Sequence, residues 1–115
     1  MVLEKTAWIS LLFDFYGQLL TSRQSTAIEL YYEQNFSLKE IADELSVSRQ
    51  AVHVNLKRAE NLLTNYEKKL GLAAKFMEQR DKLQEAVDLL DSYQANGESG
   101  KCLRAREILT DLLDT

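Results

Sequence analysis

The sequence predicts an all-α protein: a helix-turn-helix preceded by an N-terminal helix and followed by a C-terminal helical hairpin. Three observations carry that prediction. No proline and only four glycines interrupt 115 residues, and so few helix breakers over this length favour helix throughout. Apolar residues recur at three- and four-residue spacing, the period of a helix with one buried face. Helix start signals stand where the periodic segments begin, notably Ser37 with Glu40 three residues later, and Ser48. The length suits one domain with one modest core. We read residues 1–115 as a single helical domain, with the helix-turn-helix core at about 20–63 and the C-terminal helices at about 66–113.

Leu3, Ala7, Trp8, Leu11, Leu12, Phe15 and Tyr16 predict a strongly buried first helix over 3–16 that stops near Gly17. Thr21 or Ser22 is placed to cap a second helix. Ala27, Ile28 and Tyr31 are expected to face inward, Tyr32 is a further candidate, and Asn35 supplies a left-handed stop. Ser37 caps a third helix whose inner face is Leu38, Ile41, Ala42 and Leu45. After a corner at Ser46 and Val47, Ser48 caps a fourth helix that runs to about Leu70, where Gly71 ends it. The segment 72–95 places Leu72, Phe76, Leu83, Val87 and Leu90 on one stripe among many charges. Asn96, Gly97, Ser99 and Gly100 mark a reversal. The last helix, about 101–113, carries Leu103, Ile108, Leu109, Leu112 and Leu113, and the final two helices are expected to pair antiparallel along this apolar seam.

The third and fourth helices form the informative part of the chain. In a helix-turn-helix the two helices approach closely at the corner, so the small Ala42 suits the point of contact, and Leu38, Ile41, Leu45, Val47, Val52 and Leu56 are placed to fill the wedge. At about 100° per residue, Leu56, Ala59 and Leu63 stay within roughly 40° of Val52. Gln50, Val54, Lys57 and Asn61 fall on the opposite side, flanked by His53 and Arg58. Such a face suits the major groove. Gln50 is chemically suited to adenine or a phosphate, and Val54 to a thymine methyl. Arg49, Lys57 and Arg58 suit phosphates, which position a helix without specifying sequence. The helix N-terminus at Ser48 favours a phosphate as well. The candidate nucleic-acid-binding residues are therefore Ser48, Arg49, Gln50, His53, Val54, Lys57 and Arg58.

Residues 20–63, LTSRQSTAIELYYEQNFSLKEIADELSVSRQAVHVNLKRAENLL, resemble the fourth, promoter-reading region of bacterial primary-type sigma factors. The resemblance rests on the LTSRQ opening, the SLKEIADEL helix and the SRQAVHVNLKRA helix. With the aromatic first helix and the charged C-terminal hairpin, the whole chain resembles the YlxM-like family. These are small bacterial helix-turn-helix proteins whose genes commonly neighbour that of the signal recognition particle GTPase. The resemblance implies a DNA-binding regulatory protein acting in the signal recognition particle pathway. The alternative is an accessory protein that binds the particle's RNA or its GTPase and not DNA. One residue departs from the sigma pattern: Ser46 stands at the corner where glycine is usual. The backbone there takes positive φ, which serine adopts at some cost.

Charge sets the terms for any nucleic-acid reading. The net charge is −4 and the pI near 5.0, and residues 21–63 carry five Lys or Arg against six Asp or Glu. Phosphate neutralisation supplies most non-specific DNA affinity, so a dedicated DNA-binding domain is usually basic, and this chain is not. An enzyme is not expected. The only histidine, His53, has no catalytic partner in sequence, the four glycines stand apart, and the carboxylates are dispersed. No cofactor and no metal site are expected. The single Cys102 reads as a small buried hydrophobe in a reducing compartment. The opening MVLEKTAW lacks the pattern of a signal peptide and no apolar run is long enough to span a bilayer, so a cytoplasmic location without membrane contact is expected. The abundance of apolar helix surface predicts a homodimer, formed through the C-terminal helices.

Overall fold

A computed structural model describes residues 4–96 and 99–113, and the elements within them are all helical. The chain divides into two compact units, Met1–Ala73 and Ala74–Thr115. The first unit contains α1 (Lys5–Tyr16), α2 (Ser22–Ile28), α3 (Leu38–Leu45) and α4 (Arg49–Leu70). Helix α4 is the spine against which α1, α2 and α3 all pack. Leu12, Tyr16, Ile28, Ile41, Val52 and Leu63 are the largest fully buried side chains among the described residues. Each such aliphatic side chain contributes roughly 1.5–3 kcal/mol by leaving water.

Local hydrogen bonds explain where the helices begin. Thr21 Oγ1 accepts the Gln24 N–H at 3.2 Å, and Gln24 Oε1 accepts the Thr21 N–H at 3.0 Å. Ser37 and Glu40 repeat the exchange at 3.1 Å in both directions. Ser48 Oγ accepts the Ala51 N–H at 3.0 Å. These side chains satisfy N–H groups that the first turn of a helix leaves without a partner. Asn35 and Gly71 take the left-handed conformation expected of them, at φ 60° and 65°. Gly17 does not: its φ is −57° and the chain runs on into a 3-10 turn, Gly17–Leu19. Its lack of a side chain serves space instead, because a Cβ there would lie 2.9 Å from the Phe13 ring.

The first two helices differ from expectation in which side chains they bury. In α1 the buried residues are Ile9, Leu12 and Tyr16, whereas Ala7 and Phe15 are exposed. Leu3 lies outside the described residues. Helix α2 ends at Ile28 and passes into a π-helical turn, Glu29–Glu33. There the Gln34 N–H reaches back to the Glu29 carbonyl at 3.0 Å and the Phe36 N–H to the Leu30 carbonyl at 2.9 Å. The wider turn gives the inward position to Leu30 and leaves Tyr31 39% exposed. The inward placement read for Tyr31 from a regular 3.6 period is thus corrected, because a π turn breaks that period.

At its far end α4 meets a partly buried polar knot. The Tyr16 hydroxyl donates to Glu67 Oε1 at 2.7 Å and accepts the Leu72 N–H at 3.1 Å. The same Glu67 oxygen accepts the Ala73 N–H at 3.0 Å. Two side chains from the first unit thereby cap the start of α5 (Leu72–Asn96).

In the second unit, α5 continues and is followed by α6 (Ser99–Leu113). Lys101 Nζ donates to Ser92 Oγ at 2.6 Å, late in α5 and early in α6. Ala86 packs with Ala105 and Ile108, with Leu89 and Leu112 around them, as in an antiparallel hairpin. The seam differs from the expected leucine stripe. Leu72, Phe76, Leu83, Val87 and Leu90 are all exposed, as are Leu103, Leu109 and Leu113. Two facing alanines let the helix axes approach closely, so α5 turns its alanine face, not its leucine face, toward α6. Cys102 is exposed, contrary to the buried position read for it. At about 100° per residue it lies roughly 120° around α6 from Ile108. Of the residues read as a reversal, Gly97 lies outside the described ones.

Candidate nucleic-acid interface

The corner between α3 and α4 is closed by backbone alone. Ser46 takes φ 55° and ψ 45°, and both its own N–H and that of Val47 turn back to the Ala42 carbonyl, the latter at 3.0 Å. This is the left-handed helix ending usually given to glycine, here adopted by a serine. Ala42 is buried at the contact, as its small size suggested. The corner sets Ser48 in extended conformation, where it caps α4.

From that cap, α4 divides into two faces. Val52, Leu56, Ala59 and Leu63 are buried. Ser48, Arg49, Gln50, His53, Lys57 and Arg58 are exposed, and Val54 is half-buried. The seven candidate residues therefore lie together on the cap and first turns of one helix. Arg49 and Arg58 form no ion pair among the described residues. The acidic Glu40, Asp43 and Glu44 are exposed on α3. The Glu40 carboxyl is held below its usual range by the Ser37 N–H that it accepts.

Beside this face the fold gathers residues that the sequence reading did not connect. Lys5 Nζ, from α1, lies 3.0 Å from Glu60 Oε1 on α4. That bond and the attraction of the Glu60 charge raise the Lys5 pKa. Burial, reinforced by the charge of Glu60 and a hydrogen bond to it, pushes the Tyr32 phenol well above its ordinary value. Tyr31 and Tyr32 pack edge to face with ring centroids 4.9 Å apart. Together with His53 and Lys57 these side chains line a cleft of about 120 Å³. No local pattern relates Lys5, Tyr31 and Glu60, which three separate elements bring together. Among the described residues, no cluster of His, Cys, Asp or Glu is placed to hold a metal, and no helix is long and apolar enough to cross a membrane.

Comparison with known proteins agrees with this architecture. Residues 3–102 match the family described as "UPF0122: Putative helix-turn-helix protein, YlxM / p13 like". The chain is 51% identical over 107 residues to a UPF0122 protein of Desulforamulus reducens, covering 92% of this chain and 91% of that one. It is 52% identical over 99 residues to a UPF0122 protein of Bacillus licheniformis, covering 86% and 92%. It is 45% identical over 109 residues to the UPF0122 protein YlxM of Bacillus subtilis, covering 95% and 99%. A capped corner, a second helix split into buried and polar faces, and similarity along nearly the whole chain agree: the protein belongs to the UPF0122, YlxM-like family of all-α helix-turn-helix proteins.

Proposed function

We propose that the protein is a DNA-binding regulator that reads the major groove with the first turns of α4. The observation that carries this reading is the exposed polar and basic face of α4, directly opposite its buried face and beginning at a capped, open N-terminus. Gln50 and Val54 are assigned to base edges, with His53 beside them. Arg49, Lys57, Arg58 and the Ser48 turn are assigned to phosphates. We read the regulated system as the signal recognition particle pathway, on the YlxM-like resemblance. The site of action in this reading is the cytoplasm.

Arg49→Ala and Lys57→Ala are each expected to weaken binding to a random-sequence DNA duplex. Each should also reduce the slope of log affinity against log salt by about one unit. The measurement is a fluorescence-anisotropy titration at several salt concentrations. Binding that is absent, or unaffected by salt, across many duplexes overturns the reading. A second reading is an accessory protein that engages the particle's RNA or its GTPase; the net charge of −4 favours the GTPase arm, where an acidic surface suits a basic partner. Retention of that RNA or GTPase at low salt, with no retention of duplex DNA, is the result that selects it.

We also infer that the protein pairs as a homodimer through the C-terminal hairpin. Leu83, Val87 and Leu90 follow the four- and three-residue spacing of a coiled-coil seam and are 46%, 48% and 37% exposed. Among the described residues, the hairpin's own core holds Ala86, Ala105 and Ile108 as its buried members, little for two helices to stand on. A second copy offers the same seam and buries both, and a twofold pair suits two half-sites on DNA. Light scattering at micromolar concentration should give twice the chain mass; a monomeric mass overturns the pairing.

A further inference from the structure

The cleft beside α4 shares His53 and Lys57 with the proposed reading face and adds Lys5 and Tyr31 from outside it. Across the same pair of tyrosines it adjoins a larger cleft of about 380 Å³, whose lining includes Thr6, Asn35, Phe36 and Glu40. We propose that these adjoining clefts hold one unpaired nucleotide of the bound strand, with its phosphate against Lys5 and Lys57 and its base against Tyr31. The inference rests on the reading of α4 as a nucleic-acid-binding helix, and it adds a ligand class that groove reading does not require.

The charges of the two clefts differ in a way that orients such a ligand. The smaller holds two ammonium groups and one carboxylate, and that carboxylate, Glu60, is already engaged by Lys5 at 3.0 Å. Lys57 therefore supplies the net positive charge facing a phosphate. The larger holds Glu40 as its charged group, with Asn35 and Thr6 as uncharged polar side chains. A phosphate is repelled there, whereas the amino edge of a base finds acceptors.

Tyr31 is built to meet a base. It sits on the π turn, a distortion often found at functional sites. The residue is 39% exposed, and its ring is supported by Tyr32 at an interplanar angle of 78°. Tyr32 is in turn half-buried and lines the smaller cleft together with Glu60 of α4. The ring is thus held in place before a ligand arrives, which lowers the ordering cost of binding. A base inside a duplex is stacked on both faces and has none to offer a tyrosine, so the ligand must be unpaired. His53 and Lys57 belong to both surfaces, which makes the nucleotide continuous with the strand on α4.

The test compares two labelled DNA probes against the full chain by fluorescence anisotropy: a blunt random-sequence duplex, and the same duplex with a short unpaired overhang. The overhang is expected to improve binding about tenfold, the scale of one base stacked on an aromatic ring. Tyr31→Ala should remove that preference and leave blunt-duplex affinity unchanged, while Tyr31→Phe, which retains the ring, should keep it. Far-ultraviolet circular dichroism verifies that each variant remains helical. Blunt-duplex binding that depends on Arg49 but gains nothing from the overhang overturns the nucleotide site and leaves the reading of α4 standing. Equal loss on both probes in Tyr31→Ala also overturns it. Overhang binding without blunt-duplex binding supports the nucleotide site and removes the duplex reading. Retention of neither probe overturns both.

Discussion

Ile41→Ala is expected to destabilise the protein by about 3 kcal/mol, within the range for removing a fully buried aliphatic side chain. Helix α3 has eight residues, and only Ile41 and Ala42 among them are buried. Ile41 is 0% exposed and belongs to the same core as Val52 and Leu56 of α4. Truncation leaves a cavity that the flanking helices close only in part, because Ala42 is too small to fill it. A chain of this length should lose about 10 °C in melting temperature for that free energy. Ile41→Val, which removes one methylene, should cost only about 1 kcal/mol. Urea unfolding of both variants provides the measurement. A loss below about 1 kcal/mol for Ile41→Ala would mean that α3 is held by something other than this side chain.

Tyr16→Phe should cost about 2 kcal/mol although it removes a single oxygen. The ring is retained, so packing is preserved, and the whole effect falls on hydrogen bonding. The lost hydroxyl is the donor to Glu67 and the acceptor for the Leu72 N–H. Its removal leaves a carboxylate and a helix-start amide without these partners in a setting where Tyr16 is 1% exposed. Tyr16 also gives the fold an alkaline limit. Burial, and then its bond to Glu67, raises its pKa above the ordinary 10.0, and burial and Glu60 do the same for Tyr32. The folded chain therefore retains these phenolic protons to higher pH than the unfolded chain does. The stability they contribute is complete below about pH 10 and declines as pH rises past it. Tyr16→Phe should make that decline shallower, leaving the part due to Tyr32. A denaturation midpoint that falls equally steeply with alkaline pH in both proteins would contradict this account.

Much of the site was legible before any tertiary contact was known, for a physical reason. Ser37 with Glu40, and Ser48, act across three residues, so their capping bonds depend on little beyond the local chain; at the second helix the sequence offered Thr21 or Ser22, and the fold uses Thr21 with Gln24. The left-handed stops at Asn35 and Gly71 are local in the same sense. The buried and polar faces of α4 follow from helical period alone, which is why Val52, Leu56, Ala59 and Leu63 were read correctly as one face. Ser46 was the informative exception. Its residue type argues against a left-handed corner, yet the bonds to Ala42 hold it there at φ 55°.

The sequence by itself determined the helices, their caps, the corner and the polar face of α4, because each depends on neighbours within a few residues. Tertiary structure decided which faces meet. Periodicity says that Leu83, Val87 and Leu90 share one side of α5, but not that α6 packs against Ala86 instead. It also could not say that the π turn carries Tyr31 outward, or that Lys5 crosses to Glu60 and Tyr16 to Glu67. Those pairings join residues far apart in the chain, and their partners are chosen by the fit of side chains in space, which spacing along one helix does not encode.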